Sequence, residues 1–248
     1  MAAAEEAEEG AAELSAGSGA DLNADSHGGV PRRVVVRLLL VLAAAAGSLD
    51  VLCVTRLGGP FSSVITGNLV QLGRGISAPD LPLAVNSAIA VAGYAVGVAA
   101  ATVILRGRRP GWYARTSVLA MSEVALIAGV VVGWLTTGGQ PGGLATGVML
   151  ALAGGAMGVQ SALTLSTGLR GVSTTYLTGT LTAVVQGAIA SSGKRPDRPG
   201  LVRLVALLLG AVAGGFVLRL APPWTPVVPL ALVAGAVVVA TTSYPRRR

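Results

Sequence analysis

The chain has one cysteine, Cys53, and one histidine, His27. A lone cysteine excludes an intramolecular disulfide and a cysteine-based metal cluster. His27 falls in a polar N-terminal stretch, so the body of the chain has no Ser-His-Asp or histidine–metal site. Charge is scarce as well. Charged residues make up 12% of the chain, against about a quarter in soluble domains. No GxSxG, HExxH or CxxC occurs. GAIASSGKR, from Gly187, resembles a phosphate loop, but five residues separate its glycines and Arg195 stands where Ser or Thr is needed. No nucleophile–base pair or metal cluster is visible, so neither an enzyme nor a cofactor is expected.

What the chain does have is apolar. Hydrophobic residues are 52% of it, mean hydropathy is +0.71, and several runs reach the length of about 20 residues that crosses a bilayer. The expected fold class is an all-α membrane protein. The sequence predicts six spans, at about 34–57, 83–105, 115–136, 144–166, 201–220 and 226–243. The start of the first, RRVVVRLLLVLAAAAGS, mimics a signal peptide. An acidic stretch precedes it and the apolar run continues to Leu57, so it reads as an uncleaved span. Two shorter segments remain, 62–76 and 174–191. Each either crosses the membrane or enters it and returns on the same side.

Basic residues choose between these options. Residues 1–30 hold seven of the eleven acids and no Lys or Arg. This low-complexity stretch is too polar to offset its ordering entropy and is read as a disordered cytoplasmic tail. The other 218 residues carry 18 basic and 4 acidic groups. Such a balance could suggest nucleic acid. Here the basic residues sit at the ends of apolar runs, as in membrane proteins that keep Lys and Arg on the cytoplasmic side, and no nucleic-acid partner is expected. The clusters are Arg32, Arg33 and Arg37; Arg106, Arg108, Arg109 and Arg115; Lys194, Arg195, Arg198 and Arg203; and Arg246, Arg247 and Arg248. If the short segments do not cross, all four clusters share one side. Both termini are then cytoplasmic in a plasma-membrane protein, although Arg56 and Arg74 fall outside.

The order of long span, short segment and two more spans occurs twice, dividing near Gly142 into 31–142 and 143–248. Three crossings per half would turn the second half upside down, a 3+3 inverted repeat typical of secondary transporters. The short segments carry the signature of the repeat. Thr66-Gly67 matches Thr178-Gly179, and Leu69 matches Leu181. Asp50 precedes Thr66 by sixteen residues and Gln160 precedes Thr178 by eighteen, which makes Gln160 the counterpart of Asp50.

These positions are the candidate substrate- or ion-binding residues: Asp50, Thr66, Gly67, Asn68, Gln160, Thr178, Gly179, Thr180 and, in the third span, Glu123. A Thr-Gly step lets a helix begin inside the membrane, with the hydroxyl capping free N–H groups. Asn68 and Thr180 then sit beside those ends, where anions or cations bind. The alternative is that Thr and Gly only help helices pack. Asp50 and Glu123 lie about 24 Å and 12 Å into their spans at 1.5 Å per residue, depths where a carboxylate faces a cavity or a partner. They either couple transport to protons or cations, or form ion pairs with Arg56 or Arg219. Gln71, Asn86 and Gln186 read as interhelical hydrogen bonds. GxxxG spacing at Gly93, Gly129, Gly154 and Gly210 predicts close helix packing. Trp112, Trp134 and Trp224 are expected at the membrane borders as interfacial anchors.

Two stretches carry a family resemblance: AGSLDVLCVTRLGGPFSSVITGNLVQLG from Ala46, and AMGVQSALTLSTGLRGVSTTYLTGTLTAVVQG from Ala156. Together they resemble the YoaK-like family of bacterial multi-pass membrane proteins, defined as a domain of unknown function. Asp50, Gly58, Gly59, Thr66, Gly67 and Asn68 fit its first motif. Gln160, Gly171, Ser173, Thr174, Thr175, Tyr176, Thr178, Gly179 and Thr180 fit the second. Val51 and Ser161 depart mildly. The resemblance implies a multi-spanning membrane fold and no particular substrate. The expected function is transport of a small solute across the lipid bilayer, coupled to protons through Asp50. The alternative is a non-transporting membrane interaction protein whose polar motifs only pack helices. A homo-oligomer is compatible with either.

Overall fold

The structure is a computed structural model that describes residues 29–107, 109–169, 177–189 and 198–244. The acidic tail up to residue 28, Arg108, the Gly171–Tyr176 part of the second motif, Lys194, Arg195 and the C-terminal arginines lie outside the described residues. Among the described residues all regular structure is helical. The helices are α1 (Arg32–Arg56), α2 (Ile65–Ser77), α3 (Leu81–Leu105), α4 (Ala114–Thr136), α5 (Leu144–Ser166), α6 (Leu177–Ile189), α7 (Arg198–Leu220) and α8 (Val227–Thr242). A 3-10 turn, Pro222–Trp224, precedes α8.

Gly and Pro between the apolar runs set the breaks. Pro31 precedes α1, and Asp80 caps α3 by accepting from the Leu83 N–H, with Pro82 in the first turn. Among the described residues six helices are long and apolar enough to cross a membrane, as the sequence predicts. The two short helices have 13 described residues each, about 20 Å, which is less than a hydrocarbon core of about 30 Å.

Glycine contacts fix the helix directions. A Cβ on Gly210 would strike the Ala44 carbonyl oxygen, and one on Gly214 would lie 2.7 Å from the Ser48 hydroxyl, so α1 and α7 run parallel. On Gly93 it would lie 2.5 Å from the Ala151 carbonyl oxygen, and on Gly97 it would strike that of Gly155, so α3 and α5 are also parallel. Gly129 faces Leu152 and Gly133 faces Met149, which makes α4 and α5 antiparallel. The Ser117 and Tyr244 hydroxyls bond at 2.9 Å at one end of α4 and α8, and the Trp134 Nε1–H donates to the Pro222 carbonyl at 3.1 Å at the other. Those helices are antiparallel as well. The Val30 N–H donates to Trp112 and the Gly111 N–H to Ser166, bringing the start of α1, the α3–α4 loop and the end of α5 together. The result is that α1, α4 and α7 run one way and α3, α5 and α8 the other.

The long helices of each half pack on the first helix of the other half. α3 and α4 lie against α5, whereas α7 and α8 lie against α1. α1 and α5 are accordingly the most buried spans. The stretches 31–142 and 143–248 therefore interlock and do not form two separate packing units. Exchange each helix for the one at the same place in the other half, and the main packed pairs are the same.

The tryptophans correct one expectation. Trp224 is exposed, but Trp112 and Trp134 are buried, donating to the Ser117 hydroxyl and the Pro222 carbonyl. They sit at helix ends but anchor the protein interior, not the lipid border.

Lipid offers no hydrophobic gain for helix association, so backbone approach at glycine is the main source of packing here. Gly210→Leu forces a side chain into the Ala44 backbone and is expected to cost about 3 kcal/mol or more. Gly235→Leu on α8, where the space is open, is expected to be neutral. Thermal unfolding of both variants in detergent checks the contrast; equal stability would contradict the packing.

Candidate functional site

Beyond α1 the chain turns back on itself. Gly58 and Gly59 have φ of 81° and 102°, left-handed values that side chains disfavour, and Pro60 lacks an N–H. The chain then runs back along α1 until Ser62 and Ser63 lie beside Asp50. Asp50 is six residues, or about 9 Å, short of the end of α1. From there α2 begins and runs back toward the start of α3, where Gly75 meets the backbone of Asp80 and Ala84.

The returning stretch has no helix or sheet to satisfy its backbone, and three side chains take that role. One oxygen of the Asp50 carboxylate accepts from the Ser62 N–H at 2.8 Å, the Ser62 hydroxyl at 2.7 Å and the Ser63 N–H at 2.8 Å. The other accepts from the Ser63 hydroxyl at 2.5 Å. Asn68 accepts from the Phe61 N–H and donates to the Phe61 carbonyl, both at 2.7 Å. Gln71 donates to the Gly59 carbonyl at 2.8 Å. Asp50, Ser62, Ser63 and Asn68 are buried.

This geometry reassigns several predicted roles. The partners of Asp50 are Ser62 and Ser63, and no ion pair joins it to Arg56 or Arg219, both of which are exposed. Asn68 closes the loop over Phe61. Thr66 is exposed, and the N-cap of α2, Val64, receives no side-chain hydrogen bond, so Thr66 does not cap the helix as expected. A Cβ on Gly67 would come within 3.3 Å of the Val64 side chain and into ordinary contact, at 3.6 Å, with the Phe61 ring. Ser62 and Ser63 escaped sequence reasoning. The only signal for them was two adjacent hydroxyls between a Gly-Gly-Pro turn and the Thr-Gly-Asn step.

The second motif opens α6. Thr178 and Gly179 are exposed, Thr180 is buried, and the Thr182 hydroxyl donates to the Thr178 carbonyl. The glycine contacts also set the register between the halves. They match Ala44 with Ala151, Gly47 with Gly154 and Ser48 with Gly155. Counting on, Asp50 falls opposite Met157 and Gln160 opposite Cys53. Gln160 is therefore one turn away from being the counterpart of Asp50. It does different work, donating from Nε2 to the Leu42 carbonyl at 3.2 Å and so tying α5 to α1.

Glu123 stands apart from the stitched loop. It is fully buried in α4, and neither carboxylate oxygen has a hydrogen-bond partner. The Ser48 and Ser87 hydroxyls and the Gln160 Oε1 are likewise buried and unpartnered. These four groups sit on α1, α3, α4 and α5. Among the described residues no three His, Cys, Asp or Glu side chains cluster to hold a metal.

Residues 38–240 match a family model described as a protein of unknown function, DUF1275. The chain is also 28% identical over 205 residues to the UPF0700 transmembrane protein YoaK of Bacillus subtilis (strain 168), covering 77% of this chain and 88% of that protein. No solved structure matches significantly.

Truncating Asp50 leaves two backbone N–H groups and two hydroxyls unpaired. Asp50→Ala is expected to destabilise the protein by about 3 kcal/mol, more than Ser62→Ala or Ser63→Ala, because each orphaned buried group costs about 1–3 kcal/mol. Asp50→Asn keeps an acceptor and falls between. Unfolding in detergent reads the order, and an Asp50→Ala variant as stable as the parent would contradict it.

Proposed function

The chain belongs to the DUF1275 family, and on that premise we propose that it is a secondary transporter of a small solute, coupled to protons through Glu123. The observation that carries the reading is the pairing of helices. Exchanging the halves preserves the main packed pairs while reversing the direction of each spanning helix. That is the construction of an inverted repeat, whose solute and ion sites lie near the membrane midplane beside broken or short helices. α2 and α6 are the short helices, and they are re-entrant from opposite faces. The end bearing Arg32, Arg33, Arg37, Arg106, Arg109 and Arg115 is cytoplasmic by its excess of basic residues over Arg56, Arg74 and Arg219 at the other, in a bacterial plasma membrane.

Glu123 takes the coupling role because its carboxyl is free. An isolated carboxylate inside a membrane protein is costly, and it sheds that cost by taking up a proton or facing a cavity. The four donors on Asp50 make it part of the scaffold. That same stitching favours the second reading, a membrane interaction protein without transport, for the Asp50–Asn68 motif taken alone. It gives no role to an unpartnered Glu123.

Two measurements test the proposal. In a Cys53→Ser background, Ser77→Cys is expected to react with a membrane-impermeant thiol reagent in intact cells, and Ser192→Cys only after lysis. Labelling of both from one side would remove the inverted repeat. In proteoliposomes carrying an internal pH dye, a panel of amino acids, sugars and organic anions is expected to include one that drives proton movement. Glu123→Gln is expected to reduce that movement at least tenfold while leaving the unfolding temperature unchanged, since the carboxylate has no hydrogen bond to lose. Wild-type rates in Glu123→Gln would exclude the coupling role.

A further inference from the structure

A cavity of about 670 Å³ opens where three helices end: the C-terminus of α3, the N-terminus of α4 and the C-terminus of α5. Arg109 and Arg115 line it, together with Leu105, Pro110, Tyr113 and Leu165. The loop that forms its floor is held in place by the Gly111–Ser166 backbone bond at 3.0 Å and the Val30–Trp112 bond at 2.9 Å. Because three apolar spans stop here, the cavity lies at the border between hydrocarbon and water. Arg109 and Arg115 are exposed there, and Leu105 and Leu165 lie at the ends of the apolar helices α3 and α5.

Among the described residues no carboxylate pairs with the two arginines. The acidic residues whose structure is described are Asp50, Asp80 and Glu123, and none lines the cavity. Asp50 and Asp80 are at the opposite end of the bundle. Glu123 is buried eight residues further along α4 from Arg115, about 12 Å away along the helix axis. Two guanidinium groups without a carboxylate partner among the described residues, beside apolar side chains, match one ligand chemistry, a phosphate joined to an apolar body. Guanidinium holds phosphate oxygens through paired N–H donors, and basic pockets between spanning helices suit anionic headgroups.

We propose that this cavity binds the phosphate of an anionic phospholipid headgroup, with Arg109 and Arg115 on the phosphate and Leu105 and Leu165 against the start of the acyl chains. A free phosphate ester offers the same anionic group without the apolar body. The site is separate from Glu123 and does not depend on the transport reading.

Native mass spectrometry of the full chain in neutral detergent, with phosphatidylglycerol and phosphatidylcholine added at equal concentration, tests this. Phosphatidylglycerol is expected to stay bound in preference. In Arg109→Gln/Arg115→Gln its binding is expected to fall roughly tenfold or more. The control Arg56→Gln/Arg74→Gln, equal in charge change but at the other end, is expected to bind as the parent does. Both variants are expected to keep the parental unfolding temperature, because all four arginines are exposed. Glycerol phosphate at millimolar concentration distinguishes the sources. If it displaces the lipid and stabilises the parent but not Arg109→Gln/Arg115→Gln, the same arginines take a soluble phosphate. Phosphatidylglycerol binding that survives Arg109→Gln/Arg115→Gln, or that falls equally in the control, overturns the proposal.

Discussion

A backbone N–H or C=O inside a membrane must find a partner within the protein, because lipid provides none. The stretch between α1 and α2, buried in the protein at Ser62 and Ser63, likewise has to find partners without a helix of its own. Asp50 meets that need for Ser62 and Ser63, Asn68 for Phe61 and Gln71 for Gly59. Remove those bonds and the chain has no reason to double back beside α1. α2 would then start elsewhere, and α3 with it. The polar residues of the first motif are thus explained first by the backbone they satisfy.

The second constraint is contact between helix backbones. Gly47, Gly210 and Gly214 join α1 to α7, whereas Gly93, Gly97, Gly154 and Gly158 join α3 to α5. Except at Gly214, which meets the Ser48 hydroxyl, these contacts bring carbonyl oxygens against neighbouring helices with no side chain between. They also interlock the two halves, since each half supplies the central helix around which the other half packs. A core assembled in this way leaves few polar groups unpaired. Glu123 is conspicuous for that reason: a fully buried carboxylate with nothing to bond is not explained by packing.

Much of the fold is legible in the sequence. The six spans and the segment 62–76 follow from the lengths of apolar runs, and their observed limits differ by a few residues at most, whereas both predicted ends of 174–191 lie outside the described residues. The glycine spacing marks the helix contacts. The site is only partly legible. Asp50, Asn68 and Glu123 stand out because polar residues are rare at such depth, but nothing in their spacing separates a stitched carboxylate from a free one. Gln160 shows the limit plainly. Counting from the Thr-Gly steps pairs it with Asp50, yet the glycine contacts place it one turn away, because the two connecting stretches differ in length. Trp112 and Trp134 show another. A tryptophan at the end of an apolar run suits the lipid border, but whether its ring turns outward or inward depends on a neighbour far along the chain.

The sequence by itself determined the membrane class, the number of long spans, the family resemblance and the short list of polar residues. Each is a matter of local composition and run length, which the bilayer reads one segment at a time. The tertiary structure alone decided which helices touch, which way they run, and which carboxylate is occupied. Those outcomes depend on pairs separated by many residues: Ala44 with Gly210, Ser117 with Tyr244, Gln160 with Leu42. Their energies come from close approach and hydrogen bonds formed only when both partners are in place. No window of sequence contains both.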